Sequence, residues 1–469
     1  MTSVSYWLDS VSKAWKAPGR DPLPSTVDVS ADWSDSNVPW AYSEESVFTE
    51  KWPAGVTVVD IQTGSSDFFT NLQNTVNAAG KRVVVRLGVG VYSLKSFRLI
   101  GASGDPLYSF GFWFPNLQGL LGRGPDKTFV QMDANSMSTA QLSALATKTK
   151  ASFAPLQMGL ARLDGSASSP VLLAGLTFRA ADQQNMTTGA SDLGIVLPQP
   201  APHNGVVIYP NSHATVSYVR FQAAGRAAMS QPPFELANVS TQYGVTSWNN
   251  CEFDGRRSPD LDALRPRRCT VYMGNNETSA TMTDCWFHHT NVSRYAVNDE
   301  NRETTGTYTL IRCKGEQITN TQNKDPNING GASLGGYENA TPFGWESCNG
   351  TIRMTDCIVS QDNNQSAGTV PMMLQLTSVG SRNPQGGRLF VEGGEFRNTG
   401  WPHLNGFLGF RIAPNTYWWL DGFNTTLNVK DKAGNRLTPY VVTGTWPPTA
   451  ASLALAGVTP QTHFLIRST

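Results

Sequence analysis

The chain has 469 residues, enough for two or three domains or for one elongated repeat domain with small ends. Lys plus Arg and Asp plus Glu each number 36, so the net charge is zero and nothing in the balance recommends nucleic acid or an anionic membrane as a partner. A hydrophobic fraction of 39% that omits 43 glycines excludes extended disorder, and thirteen Trp with thirteen Tyr suit strands, tight turns and sugar-binding surfaces.

The N-terminus, MTSVSYWLDSVSKAW, lacks the basic start and unbroken apolar run of a secretory leader, and no run of about 18 apolar residues follows anywhere. Synthesis in a cytoplasm and no membrane span are the expectations. Within SYWLDSVSKAW, Trp7, Val11 and Trp15 recur at i, i+4 and i+8, which predicts an apolar stripe on a short helix. That stripe would pack on the protein's own body or dock on a partner. With Trp33, Trp40 and Trp52 it makes residues 1–54 too aromatic for a flexible tail, and they are assigned as an attachment segment.

Next, SSDFFTNLQNTVNAAG (65–80) predicts an amphipathic helix with Phe69, Leu72 and Val76 on one face and a stop at Gly80. The strand VVVRL and a Gly-bracketed turn ending in Tyr92 follow. In NLQGLLGRGPDKTFVQM (116–132), Gly122, Arg123 and Gly124 form a strand-end turn; the six-position glycine pattern of a phosphate loop is missing.

From residue 174 the chain repeats itself. AGLTFRA (174–180), YVRFQA (218–223), NNCEFDG (249–255), TDCWFHH (283–289), IRCKGEQ (311–317), TDCIVSQ (355–361) and EGGEFRN (392–398) align on anchors at 176, 219, 251, 285, 313, 357 and 394. Each unit alternates apolar and polar residues and then breaks into turn formers, the pattern of a half-buried strand. In CEFD, Cys251 and Phe253 point one way, Glu252 and Asp254 the other. Such units bury an apolar face only by stacking, so the anchors are expected to form an inward column about 4.8 Å per step, with uneven intervals absorbed by loops. A β-sandwich with irregular loops is the alternative.

The tetrapeptide MTDC, present at 282–285 and 354–357, is then one rung of this repeat and not a Cys–Asp reaction pair. The six cysteines (251, 269, 285, 313, 348 and 357) show no CxxC and no zinc spacing, so they are expected to be reduced and buried, with no metal and no cofactor. Beyond 405, NTYWWLDGF, a turn at DKAGNR (431–436) and TWPPT read as a small β-rich segment that caps the repeat or mediates trimer contacts.

The helix at 65–80, the coil at 116–132 and the anchored repeats together resemble the right-handed parallel β-helix of the pectate-lyase superfamily, over roughly 55–400. The resemblance implies an all-β solenoid over 55–404, an N-terminal capping helix, the attachment segment at 1–54 and a C-terminal segment at 405–469. The Asn-Thr-Asp, Asp-Asp and Gly-His-Gly signatures of pectin-degrading members are missing. In overall design the chain resembles tail spikes and minor tail proteins of tailed bacteriophages, which implies a virion location, contacts to other virion proteins through 1–54, a host surface polysaccharide as ligand and a homotrimer. A capsid decoration protein is the other virion reading.

Two classes of function follow. A structural, receptor-binding protein would stack sugars on loop aromatics, for which Trp401, Trp418 and Trp419 are the candidates. A polysaccharide hydrolase or lyase would need acid and base groups on one outward column. Three residues past each anchor lie Arg179, Gln222, Asp254, His288, Glu316, Ser360 and Arg397. Asp254 and Glu316, two rungs and on the order of 10 Å apart, are the candidate acid and base, with His288 between them to orient substrate.

Overall fold

In the computed structural model the chain is described at residues 55–61, 82–94, 98–99, 108–112, 117–132, 158–163, 170–180, 204–208, 213–222, 237–239, 245–254, 269–273, 279–288, 295–299, 307–317, 343–345, 351–361, 374–376, 388–398, 402–404, 406–412, 426–445 and 448–468, with the short segments 7–9 and 14–16. Three long sheets of eleven, nine and twelve strands run alongside one another. The chain visits them in rotation: Val245–Asn249 lies in the first, Glu252–Asp254 in the second and Cys269–Met273 in the third, and Ser279–Thr283 then returns to the first. Every strand of the first and second sheets pairs in parallel with its equivalent one coil away. The fold is a right-handed parallel β-helix with three strands per coil.

One corner repeats without variation. From Ala174 to Glu392, each first-sheet strand is followed by two residues and then by its second-sheet strand. The first of the two turns the chain through the left-handed region: Gly175 and Gly393 at φ 68° and 65°, and Tyr218, Asn250, Asp284, Arg312 and Asp356 at 50–55°. Side chains other than Gly, Asn and Asp pay about 1–2 kcal/mol there. What offsets the cost is an unbroken hydrogen-bond ladder. The N–H of Asp284 donates to Ile311 O at 3.0 Å and that of Arg312 to Thr355 O at 2.8 Å, while Trp286 N–H donates to Cys251 O and Lys314 N–H to Cys285 O.

The second corner residue is the sequence anchor, and it points inward. Cys251, Cys285, Cys313 and Cys357 are reduced and at most 2% exposed. They stand between strands, at the corner, whereas alternation alone would put them in one. Each thiol donates to a carbonyl of the preceding coil, from Cys285 to Trp248 O at 3.5 Å and from Cys313 to Met282 O at 3.3 Å. Leu176 and Val219 fill the first positions of the same column, also fully buried, and the four thiols follow. At its end Gly394 replaces Cys, because a Cβ there would lie 2.5 Å from Cys357 O.

Beside the thiols runs a second inward column, two residues past each anchor. It begins with Tyr92 and Val130 and continues with Phe178, Phe221, Phe253 and Phe287, in register from coil to coil. The rings stack at centroid distances of 5.9, 5.0 and 4.6 Å with interplanar angles of 17°, 8° and 3°. Each such pair contributes about 0.5–1.5 kcal/mol beyond its buried area. First-sheet strands complete the core with Leu173, Val216, Trp248, Met282, Leu310, Met354 and Val391.

At the N-terminal side the strands Arg82–Leu87, Gly90–Leu94, Leu117–Leu121 and Thr128–Met132 build the first coils, and 122–124 is the expected turn. A Cβ on Gly122 would collide with Gly175 O and stand 2.8 Å from Leu176 Cβ, which explains the glycine. The helix expected over 65–80 falls outside the described residues. Around Trp7 and Trp15 the structure differs from the expectation: Trp7–Asp9 and Ala14–Lys16 are antiparallel strands with Leu8 opposite Trp15. Large aromatic residue types favour cross-strand pairs over helix.

At the other end, the DKAGNR turn leads from Thr426–Lys430, the last strand of the first sheet, and Asn435 closes it on the Asp431 carboxylate at 2.8 Å and 3.0 Å. Thr438–Val442 and His463–Ser468 then extend the third sheet. A helix, Ala450–Leu455, capped by Thr449, packs Leu453 against Leu404, Phe407, Val442, Val458 and Leu465. This satellite core lies beside the last strands of the third sheet.

Candidate functional site

Backbone pairing fixes the column three residues past each anchor. Arg179 pairs with Gln222, Gln222 with Asp254, and Asp254 with His288; one coil further Glu316 pairs with Ser360, and Ser360 with Arg397. Glu316 follows Gly315, the partner of Phe287, so Asp254 and Glu316 lie two coils apart with His288 between them. The side chains of Asp254, His288 and Glu316 lie outside the described residues, as do Trp401, Trp418 and Trp419.

The neighbouring outward column, one residue past each anchor, is where alternation misleads. It reads Thr177, Arg220, Glu252, Trp286, Lys314, Ile358 and Glu395 in successive coils. A column on the outside of a sheet is expected to meet water. Instead Arg220 is 3% exposed, and Glu252, Trp286 and Lys314 are each 1%.

Burial of this kind is tolerable only if each charge is matched. Arg220 Nε donates to Glu252 Oε2 at 2.7 Å, and its Nη1 lies 3.1 Å from Asp126 Oδ1, a carboxylate supplied by the 122–127 turn. Burial pushes the Asp126 carboxyl up; Arg220 pulls it back and Glu252 adds to the rise. Two coils on, the Lys314 ammonium stands 5.4 Å from the centre of the Trp286 ring, a cation–π pair in a dry setting. Residues of unlike chemistry thus meet in neighbouring rungs, Arg220 with Glu252 and Trp286 with Lys314.

Chemically, this column is a clamp. Glu252 is sealed from solvent and neutralised, so it cannot meet a polymer or exchange protons with one. The signal that could have exposed it was present in the sequence: Arg, Glu, Trp and Lys in one register column are complementary neighbours, a relation that alternation within a single strand does not reveal.

The outer face of the first sheet is different. Thr215, Ser247, Thr281 and Thr309 occupy one column in register, with Ser217, Asn249 and Thr283 beside it. All are half-buried, as expected for side chains standing side by side on a flat sheet. The first column then changes character at Arg353, Phe390 and Asn428.

Among the described residues, no group of three or more His, Cys, Asp or Glu could hold a metal ion, and no helix is long and apolar enough to cross a membrane. In comparisons with known proteins, no family model matches the chain, and neither a curated protein nor a solved structure matches it.

Proposed function

We propose that this chain is a virion protein of a tailed bacteriophage, a tail spike or minor tail protein related to the pectate-lyase superfamily, which presents a rigid β-helix for recognition of a host-surface polysaccharide. The observation that carries the reading is the outer face of the first sheet: a straight row of hydroxyl side chains, Thr215, Ser247, Thr281 and Thr309, repeating once per coil on a stiff, internally satisfied rod. A polymer of hydroxylated rings is the ligand for which a repeating polar face at about 4.8 Å is suited. Residues 1–54 would attach the rod to other virion proteins, and three copies would assemble in closed symmetry, the usual state of oligomers.

The test is binding of the purified full-length protein to polysaccharide from host envelopes, with new reducing ends and unsaturated uronates monitored in parallel. Binding without either product supports recognition. Cleavage would favour the second reading, a depolymerase using Asp254, His288 and Glu316, whose backbone positions in neighbouring coils support it. Asp254→Asn and Glu316→Gln should then abolish cleavage and leave binding intact. Labelled antibodies on intact particles distinguish a tail position from head decoration, and a monomeric mass at micromolar concentration contradicts the trimer.

A further inference from the structure

We infer that residues 443–468 form a latch: the strand His463–Ser468 enters a slot built by earlier parts of the chain, and it leaves and re-enters that slot as a unit while the coils stay folded. This device is independent of what the solenoid recognises.

Topology carries the inference. From Tyr108–Phe112 to Gly409–Ile412 the strands of the third sheet follow chain order, one per coil. The order then breaks. Thr438–Val442 is the next strand of this sheet in the chain but takes the outermost place, and His463–Ser468, which follows it, lies between it and Gly409–Ile412. With that strand out, its two neighbours would stand roughly 10 Å apart, two strand spacings, too far to pair with each other.

Both sides of the slot fit a parallel strand. Leu465 lies opposite Gly409 on one side and Tyr440 on the other. Its N–H donates to Leu408 O at 2.8 Å, and at the other edge Thr438 N–H donates to Thr462 O at 2.8 Å. Phe464 and Leu465, successive residues that point to opposite faces, are each 1% exposed, so the strand is covered above and below. The outer edge of Thr438–Val442 is different. Alternation from Thr438 turns position 439 away from the slot, and Pro439 has no N–H to offer there. Proline on an edge discourages a further strand, so the pairing demand of this end lies in the slot.

The connector, by contrast, has little footing. Among its described residues, 443–445 and 448–462, only Pro448, Leu453 and Val458 are buried, and Leu455 is 91% exposed. Its helix, Ala450–Leu455, has six residues, too few to be stable without packing. His403 Nε2 donates to Pro448 O at 2.8 Å and ties the connector to the turn Pro402–Leu404. A segment with so few buried contacts opens locally at a fraction of the global cost. The strand it carries has a complete site to return to.

Two measurements test the latch. A protease site is placed at Gly457, where an added Cβ would meet nothing within 4 Å, and is cut in the folded full-length protein. A labelled synthetic peptide spanning 458–469 is then added in excess. The cut segment is expected to stay bound through gel filtration and to be replaced by the labelled peptide with the circular dichroism of the coils unchanged. A peptide carrying Leu465→Asp should not enter. On the uncut chain, the N–H groups of Thr438 and Leu465 should exchange with deuterium together, about ten-fold or more faster than those of Trp286 and Lys314, which bond between coils. Loss of the solenoid on cutting, release of the segment without re-entry, or replacement only at the denaturant concentration that unfolds the coils overturns the latch. Equal protection of the four amides does the same.

Discussion

Two columns run the length of the solenoid a single residue apart in sequence, and they are filled by opposite rules. The inward anchor column repeats one residue type, Cys251, Cys285, Cys313 and Cys357, whereas the outward column beside it never repeats from Arg220 through Glu252 and Trp286 to Lys314. Inside, each thiol meets the same surroundings, a corner above, a corner below and a carbonyl to donate to, so one small residue answers the four coils from Cys251 to Cys357. Outside, burial of charge requires that each rung complement its neighbour, so identical residues are excluded. Homogeneity marks packing, and alternation of chemistry marks mutual satisfaction.

The comparison breaks most visibly at Glu252. Glu252→Ala removes the 2.7 Å carboxylate partner of the 3%-exposed Arg220 and should lower stability by about 3–5 kcal/mol in denaturant unfolding. An Arg220→Met/Glu252→Leu double variant should recover most of that loss. If Glu252→Ala alone is silent, the outward column is not a clamp.

Tyr92 tests the inner side next. It opens the stacked column at 2% exposure, donates to Ile61 O at 2.9 Å, and burial raises its phenol from 10.0 to about 12. A group raised in the folded state contributes fully below its unfolded value and loses that contribution as pH climbs through the folded one. Stability should therefore fall by about 2–3 kcal/mol between pH 10 and 12. Tyr92→Phe should remove this step, and an unchanged alkaline limb would show that it arises elsewhere.

Smaller effects are expected where one residue answers these four coils. Cys285→Ala should cost about 1 kcal/mol, and Cys285→Ser should recover part of it by donating to Trp248 O. A loss as large as that of Glu252→Ala would erase the distinction between the columns. Smallest of all, Asn250→Gly should change stability by only a few tenths of a kcal/mol, because Asn already tolerates its φ of 52°.

The strand following each anchor, the inward thiols and the DKAGNR turn were legible because local alternation and turn chemistry determine them. Third-sheet strands such as Ala237–Val239 and Leu374–Leu376 were not: three residues without a repeated anchor carry no periodic signal. Trp7, Val11 and Trp15 have helical spacing, yet strand pairing prevails around Trp7 and Trp15. The charged clamp was legible only across coils, because Glu252 looks solvent-facing within its own strand while its partner Arg220, and Asp126 beyond it, come from earlier coils.

The repeated Asp-Cys pair is a corner of the architecture and not a reactive site. Mass-spectrometric mapping of thiol labelling, on native and on denatured protein, tests it most directly. Desolvation holds the Cys285, Cys313 and Cys357 thiols well above the usual 9.0, and Cys251 is fully buried beside them. All four should stay unlabelled until the chain unfolds and then react together; native labelling of any one at the rate of an exposed thiol, or a disulfide joining any two, would contradict the account.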